Sequence, residues 1–137
     1  MDLQTKIHIQ RSFDKIEPVA QTFASLFYVR LFETAPRLRP MFPTDLRQQQ
    51  RKLMDMLTFL VEALDVPEAF EQELLQLGSR HKVYGVTAEH SALVNQALLW
   101  TLQRTLQDDF TPEIATAWTT LLNVISTTMN ACFHNGH

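Results

Sequence analysis

Leu77 Gly78 Ser79 Arg80 His81 Lys82 Val83 Tyr84 Gly85 Val86 is the stretch on which the reading of this chain turns. A histidine one turn after a leucine, followed after three residues by Gly-Val, stands near the end of a helix where the backbone is about to turn. One imidazole nitrogen there can bind a metal while the other donates to a backbone carbonyl. A lone histidine on a helix is more often solvated or packed in a core. Its meaning therefore depends on what stands at matching distances up and down the chain.

Composition narrows the field. With 137 residues, 45% of them hydrophobic, the chain is long enough for one sizeable core and short for two, so a single domain over residues 1–137 is expected. The 12 basic residues against 15 acidic ones give a net charge of -3, with no basic stripe interleaved with aromatics, which argues against a nucleic-acid partner. The single cysteine, Cys132, cannot form an internal disulfide or a cysteine-based metal cluster and reads as a buried, inert thiol. Residues Met1 to Lys6 lack the basic start and apolar centre of a signal peptide, and no apolar run approaches the roughly 18 residues of a membrane span. A cytoplasmic protein with no membrane partner is expected, as a monomer or weak homodimer.

The periodicity is helical throughout. Glycines number only 3, no Asn-Gly or Asp-Gly signal separates alternating runs, and apolar residues recur at three and four rather than two. An all-α fold is expected. Leu3, Ile7, Phe13 and Ile16 mark a first helix that breaks near Pro18; Val19, Phe23, Leu26, Phe27 and Leu31 form the inward stripe of a second, ending before Pro36. The segment from Pro36 to Pro43 holds three prolines and supports only a short helix or turns, which puts Phe42 on a corner. A long helix follows from about Asp45 to Asp65, with Leu53, Met56, Leu57, Leu60, Val61 and Leu64 on one face. Pro67 opens a helix carrying Phe70, Leu74 and Leu77 toward His81, and Gly85 marks its break. Thr87 caps the next helix, running to about Gln107, and Thr111 Pro112 Glu113 is a clean start for the last one, whose apolar face runs from Ile114 and Trp118 to Met129 and Phe133.

In order and length these helices resemble the globin family, over nearly the whole chain. The resemblance is to bacterial single-domain hemoglobins and the globin part of flavohemoglobins, with vertebrate neuroglobin similar from His81 to Val86. It rests on Phe27 Tyr28 with Leu31 Phe32 in the second helix, Arg39 Pro40 Met41 Phe42 at the corner, Arg51 Lys52 Leu53 Met54 in the following helix, and Ala117 Trp118 in the last. It implies a globin fold, a three-on-three helical sandwich around heme, with His81 as the proximal ligand of the iron. It further implies heme contacts from Phe42, Lys52, Leu53, Leu77, Arg80, Tyr84, Val86 and Val94, and a distal pair, Tyr28 and Gln49, that stabilises bound gas. The cofactor implied is non-covalent heme b, since no Cys-x-x-Cys-His occurs. The small ligands implied are O2, NO and CO.

A plainer reading stands beside each of these residues. Phe42 is a core aromatic on either view, and Arg80, Lys82 and Lys52 are more often solvated charges than partners of heme propionates. Tyr28 serves equally as an ordinary core tyrosine, although its hydroxyl then needs a buried partner. Gln49 fits a solvated face as well as the distal position. The sixth coordination site is expected to be open or held by water, with Lys52 as the rival. His8 and His90 are expected in surface or structural roles, and His134 and His137 in a frayed end.

The departures from the flavohemoglobin pattern lie on the proximal side. Those proteins carry a tyrosine ten residues after the proximal histidine, where this chain has Ser91. They also carry a glutamate in the last helix, where the region from Asn130 to Phe133 holds no acid. The chain ends where the globin part ends, so electrons are expected from an external, unidentified reductase. The leading expectation is a heme protein that binds O2 reversibly as carrier, scavenger or sensor. The alternatives are nitric oxide dioxygenation or weak peroxidation with that reductase, and a heme-free helical interaction domain.

Overall fold

The computed structural model describes residues 1–83 and 86–135, leaving aside the side chains of residues 82, 83 and 132–135. Among the described residues there are six α-helices and no strand: α1 Leu3–Ile16, α2 Ala20–Thr34, α3 Arg47–Glu62, α4 Pro67–Val83, α5 Ala88–Leu106 and α6 Pro112–Asn135. Short 3-10 turns lie at Glu17–Val19, Pro36–Met41, Ala63–Asp65 and Gln107–Asp109. The all-α expectation holds. The expectations on Tyr84, Gly85, Cys132, Phe133, His134 and His137 fall outside what is described.

Local chemistry accounts for the helix starts. The Asp2 carboxylate accepts from the Thr5 amide at 2.8 Å, and that bond holds its pKa below the usual carboxylate value. Pro67 and Pro112 take first positions, where a missing N–H leaves nothing unsatisfied. Thr87 begins α5 with a reciprocal cap: its hydroxyl accepts from the His90 amide at 3.3 Å, and its own amide donates to His90 Nδ1 at 3.2 Å. A histidine here fills the place usually held by glutamate or glutamine. Thr111 caps α6 through the Ile114 amide at 3.3 Å.

Of the apolar stripes expected for the first two helices, Ile7 and Leu26 are only half-buried and two residues are exposed. Leu3 is 70% exposed because it is the first residue of α1, and Val19 is 41% exposed because it belongs to the 3-10 turn, where the helical register slips. The core is carried instead by Ile9, Phe13, Ile16, Phe23, Phe27, Tyr28 and Leu31 from the first two helices. It continues without interruption through Leu53, Leu57, Leu60, Leu74, Leu77, Leu98, Leu102, Trp118 and Leu121.

The last helix is the common support: α6 packs on α1, α4 and α5, while α2 packs on α5 and α3. At the centre of the α1–α6 contact, Trp118 lies 6.2 Å from the Phe13 ring and its Nε1 donates to Ser12 Oγ at 2.8 Å. Ser12 in turn donates to the carbonyl of His8 at 2.7 Å or of Ile9 at 3.0 Å, so a polar residue in an apolar stripe is fully used. Ser12→Ala strands the indole N–H in a dry core, a loss of about 1–3 kcal/mol. That corresponds to a fall of roughly 3–10 °C in Tm, read by thermal unfolding. An unchanged Tm would show that the bond contributes nothing net.

Candidate functional site

His81 sits two residues before the end of α4, half-buried, with Nδ1 2.8 Å from the Leu77 carbonyl. A carbonyl only accepts, so Nδ1 carries the proton and Nε2 keeps its lone pair. Burial pushes the imidazole pKa below its ordinary value, against the pull of the Leu77 carbonyl, and the neighbouring Arg80 charge pushes the same way as burial. The ring is thereby held neutral at pH 7, in one tautomer, with a nitrogen available as a ligand. The Val86 amide donates to the His81 carbonyl at 3.0 Å.

A second group forms where α2, the proline-rich corner and α3 meet. The Tyr28 ring stands edge-on to Phe27 at 4.8 Å and to Phe42 at 5.6 Å; Phe32 lies 5.9 Å from Tyr28 and 5.4 Å from Phe42. The Tyr28 hydroxyl donates to the main-chain carbonyl of Gln49, but at 3.5 Å, far longer than the usual 2.7–2.8 Å for such a bond. Tyr28 is only 3% exposed. Burial raises its pKa to about 12, against the opposing pull of a hydrogen bond with the Gln49 side chain.

The corner is braced by one side chain. Arg39 donates to the carbonyls of Phe42 at 3.2 Å, Pro43 at 2.9 Å and Thr44 at 3.0 Å, and its guanidinium lies 5.0 Å from the centre of the Phe32 ring. Arg37, two residues earlier, pairs with Glu89 at 2.6 Å and ties the corner to the start of α5. Neither role was expected from the sequence, where Arg39 counted only as part of a family motif.

The remaining sequence candidates divide. Leu53 and Leu77 are buried in the same continuous core as Tyr28, and Phe42 and Val94 pack against it half-buried. Gln49 and Val86 are half-buried, Lys52 is exposed, and Tyr84 is outside the described residues. Arg80 is exposed and already paired with Glu73 at 3.2 Å. An open groove of about 400 Å³ runs beside Gln72, Leu75, Gln76, Ser79 and Arg80. All of its walls come from α4, so it cannot enclose a planar group held by a residue of that same helix. Among the described residues no three His, Cys, Asp or Glu side chains are grouped to hold a metal ion. No described helix is long and apolar enough to cross a membrane.

The residues suit a heme. A neutral imidazole with one nitrogen unshared among the described residues, an apolar core and a buried hydroxyl are groups that such a cofactor can use. The globin family profile matches residues 25–129, a span that includes Tyr28, Phe42, Gln49 and His81. Flavohemoprotein B of Dictyostelium discoideum is 30% identical over 112 residues, covering 81% of this chain and 26% of that protein. Neuroglobin of Danio rerio is 28% identical over 118 residues, 76% of this chain and 74% of the other. The flavohemoprotein of Bordetella pertussis is 32% identical over 95 residues, 67% of this chain and 24% of the other. The matched part of the chain thus spans about a quarter of those two flavohemoproteins and about three quarters of that neuroglobin.

The Tyr28 environment has a pH signature. Above about pH 10 an unfolded chain releases its tyrosine protons, whereas Tyr28 holds its own to about 12 in the fold. The folded state then binds more protons, so this contribution is intact below pH 10 and is lost as pH rises through 12. A gap of two units is on the order of 2–3 kcal/mol. Ultraviolet difference titration should find one tyrosine ionising near pH 12 and missing in Tyr28→Phe; a normal titration near 10 would show that the hydroxyl is solvated.

Proposed function

The chain belongs to the globin family, and with it to the heme-based binders of small gases, and from that premise we propose that it holds heme b non-covalently through His81 and binds O2 reversibly, with NO and CO as further ligands. Residues 1–137 are read as one globin domain, a monomer or weak homodimer working in the cytoplasm as carrier, scavenger or sensor. The observation that carries this reading is the 2.8 Å contact between His81 Nδ1 and the Leu77 carbonyl, which leaves Nε2 as the free donor.

When bound, the heme supplies an iron centre that takes up and gives back a diatomic gas. His81 offers Nε2, and burial keeps the ring from taking a proton that would block it. Phe42, Leu53, Leu77, Val86 and Val94 supply apolar contact, and Tyr84 is assigned to the same lining. Lys52, exposed on α3, is the available cation for a propionate. Arg80 serves that purpose only by giving up Glu73. Tyr28 would offer its O–H and Gln49 a side-chain N–H to the gas, and Leu53 would keep water away. A donor of this kind favours O2, which draws negative charge on binding, over CO, which draws little. The exposure of Lys52 suits a sixth site left open or to water.

A second reading, nitric oxide dioxygenation or weak peroxidation with an external reductase, is favoured by the likeness to two flavohemoproteins. Sustained NO consumption with a supplied flavin reductase would support it, and none beyond the stoichiometric would leave the reversible binder.

Replacing His81 with alanine should abolish or grossly alter the Soret band of the heme-loaded protein; an unaltered spectrum would remove His81 from the iron. Tyr28→Phe should speed O2 release roughly tenfold to a hundredfold, the worth of one hydrogen bond to a partly charged group, and hardly change CO release. Stopped-flow measurement with both gases decides. Equal changes would mean that Tyr28 acts by packing alone.

A further inference from the structure

Among the buried polar atoms without a hydrogen-bond partner are Ser91 Oγ and Asn130 Oδ1, one on α5 and one on α6. The two helices are joined by residues 107–111 and pack on each other, and Asn95 Nδ2 donates to Ser126 Oγ at 2.6 Å across them. That bond fixes which turn of α5 faces which turn of α6. One turn further from the connection, four residues back along α5 and four onward along α6, stand Ser91 and Asn130. This register assigns the two unpartnered atoms to the same turn of the seam.

Neither atom bonds to the other. Ser91 also declines the usual outlet of a helical hydroxyl. Ser12, Thr101, Thr119, Thr120 and Thr128 all donate to the carbonyl four residues back, whereas Ser91 makes no such bond to Thr87. Ser91 is 7% exposed, too deep for bulk solvent to serve it. An acceptor and a hydroxyl left facing one another in a dry seam are the two partners that a buried water requires.

We infer that Ser91 and Asn130 hold one buried water between α5 and α6. The water accepts from the Ser91 O–H and donates to Asn130 Oδ1. It continues the Asn95–Ser126 tie toward the start of α5. Ser91 follows by five residues Val86, whose amide binds the His81 carbonyl, and the bridge ties the start of α5 to the last helix. The inference stands whether or not the gas-binding reading is right.

The test uses the full chain, heme-free and heme-loaded, with Ser91→Ala, Asn130→Leu and the double variant. NMR should show a long-lived water contacting the Asn130 side-chain amide and Ser91, lost in each single variant. Each single substitution should lower Tm by roughly 3–8 °C, and the double should fall no further than the worse single, because both remove the same bridge. Ser91→Thr, which keeps the hydroxyl, should retain the water and the Tm, and it serves if Asn130→Leu fails to fold. No long-lived water in the wild type, singles as stable as the parent, or losses that simply add would each overturn the site.

Discussion

The bond from the Trp118 indole to the Ser12 hydroxyl is the tie on which the arrangement of helices depends. It joins residues 106 apart in sequence, in a place where an indole N–H has no water to turn to. Because it is directional, it sets how far along α6 the first helix lies, which apolar packing alone leaves loose. The same α6 carries α4 and α5, so the position of His81 is inherited from a helix bearing none of the site chemistry. The helices α2 and α3 reach this framework from the other side and bring the Tyr28 cluster with them.

Burial does the same thing to both titratable groups of the site, with opposite chemical results. It keeps the imidazole unprotonated and therefore nucleophilic toward a metal, and it keeps the phenol protonated and therefore a donor. The difference lies in how their bonds are spent. His81 has one nitrogen firmly committed at 2.8 Å and one in reserve, whereas the Tyr28 hydroxyl has only a 3.5 Å contact.

Helix starts were legible in the sequence because their causes are local: Pro67, Pro112, Thr87 and Thr111 act on neighbours within one turn. Leu3 and Val19 were misjudged because hydrophobic periodicity does not reveal where a facing helix stops. Ser12 gave no signal, since its meaning lies in Trp118 at the far end of the chain. Glu73, seven residues before Arg80, could be paired with it only once side-chain directions were known. Family likeness singled out Tyr28, but the main-chain group that its hydroxyl meets left no mark in the sequence. The Tyr28 hydroxyl meets the main-chain carbonyl of Gln49, and a carbonyl is the same in every residue. His90 as a cap was hidden for a related reason, because a histidine in the place of an acid breaks the pattern that a reader looks for.

Arg39 turns the corner after α2 into something other than a loop. Three consecutive carbonyls, those of Phe42, Pro43 and Thr44, are gathered by one guanidinium that also covers Phe32. Most surface connections accept an added or missing residue because nothing counts their length. Here the count is fixed from within, as by a hand holding three beads of a string. An insertion between Arg39 and Thr44 would push a carbonyl out of that grip and shift Phe42 with it. Length variation in this chain should accordingly collect at its other connections, leaving this corner constant in size even where its residues change.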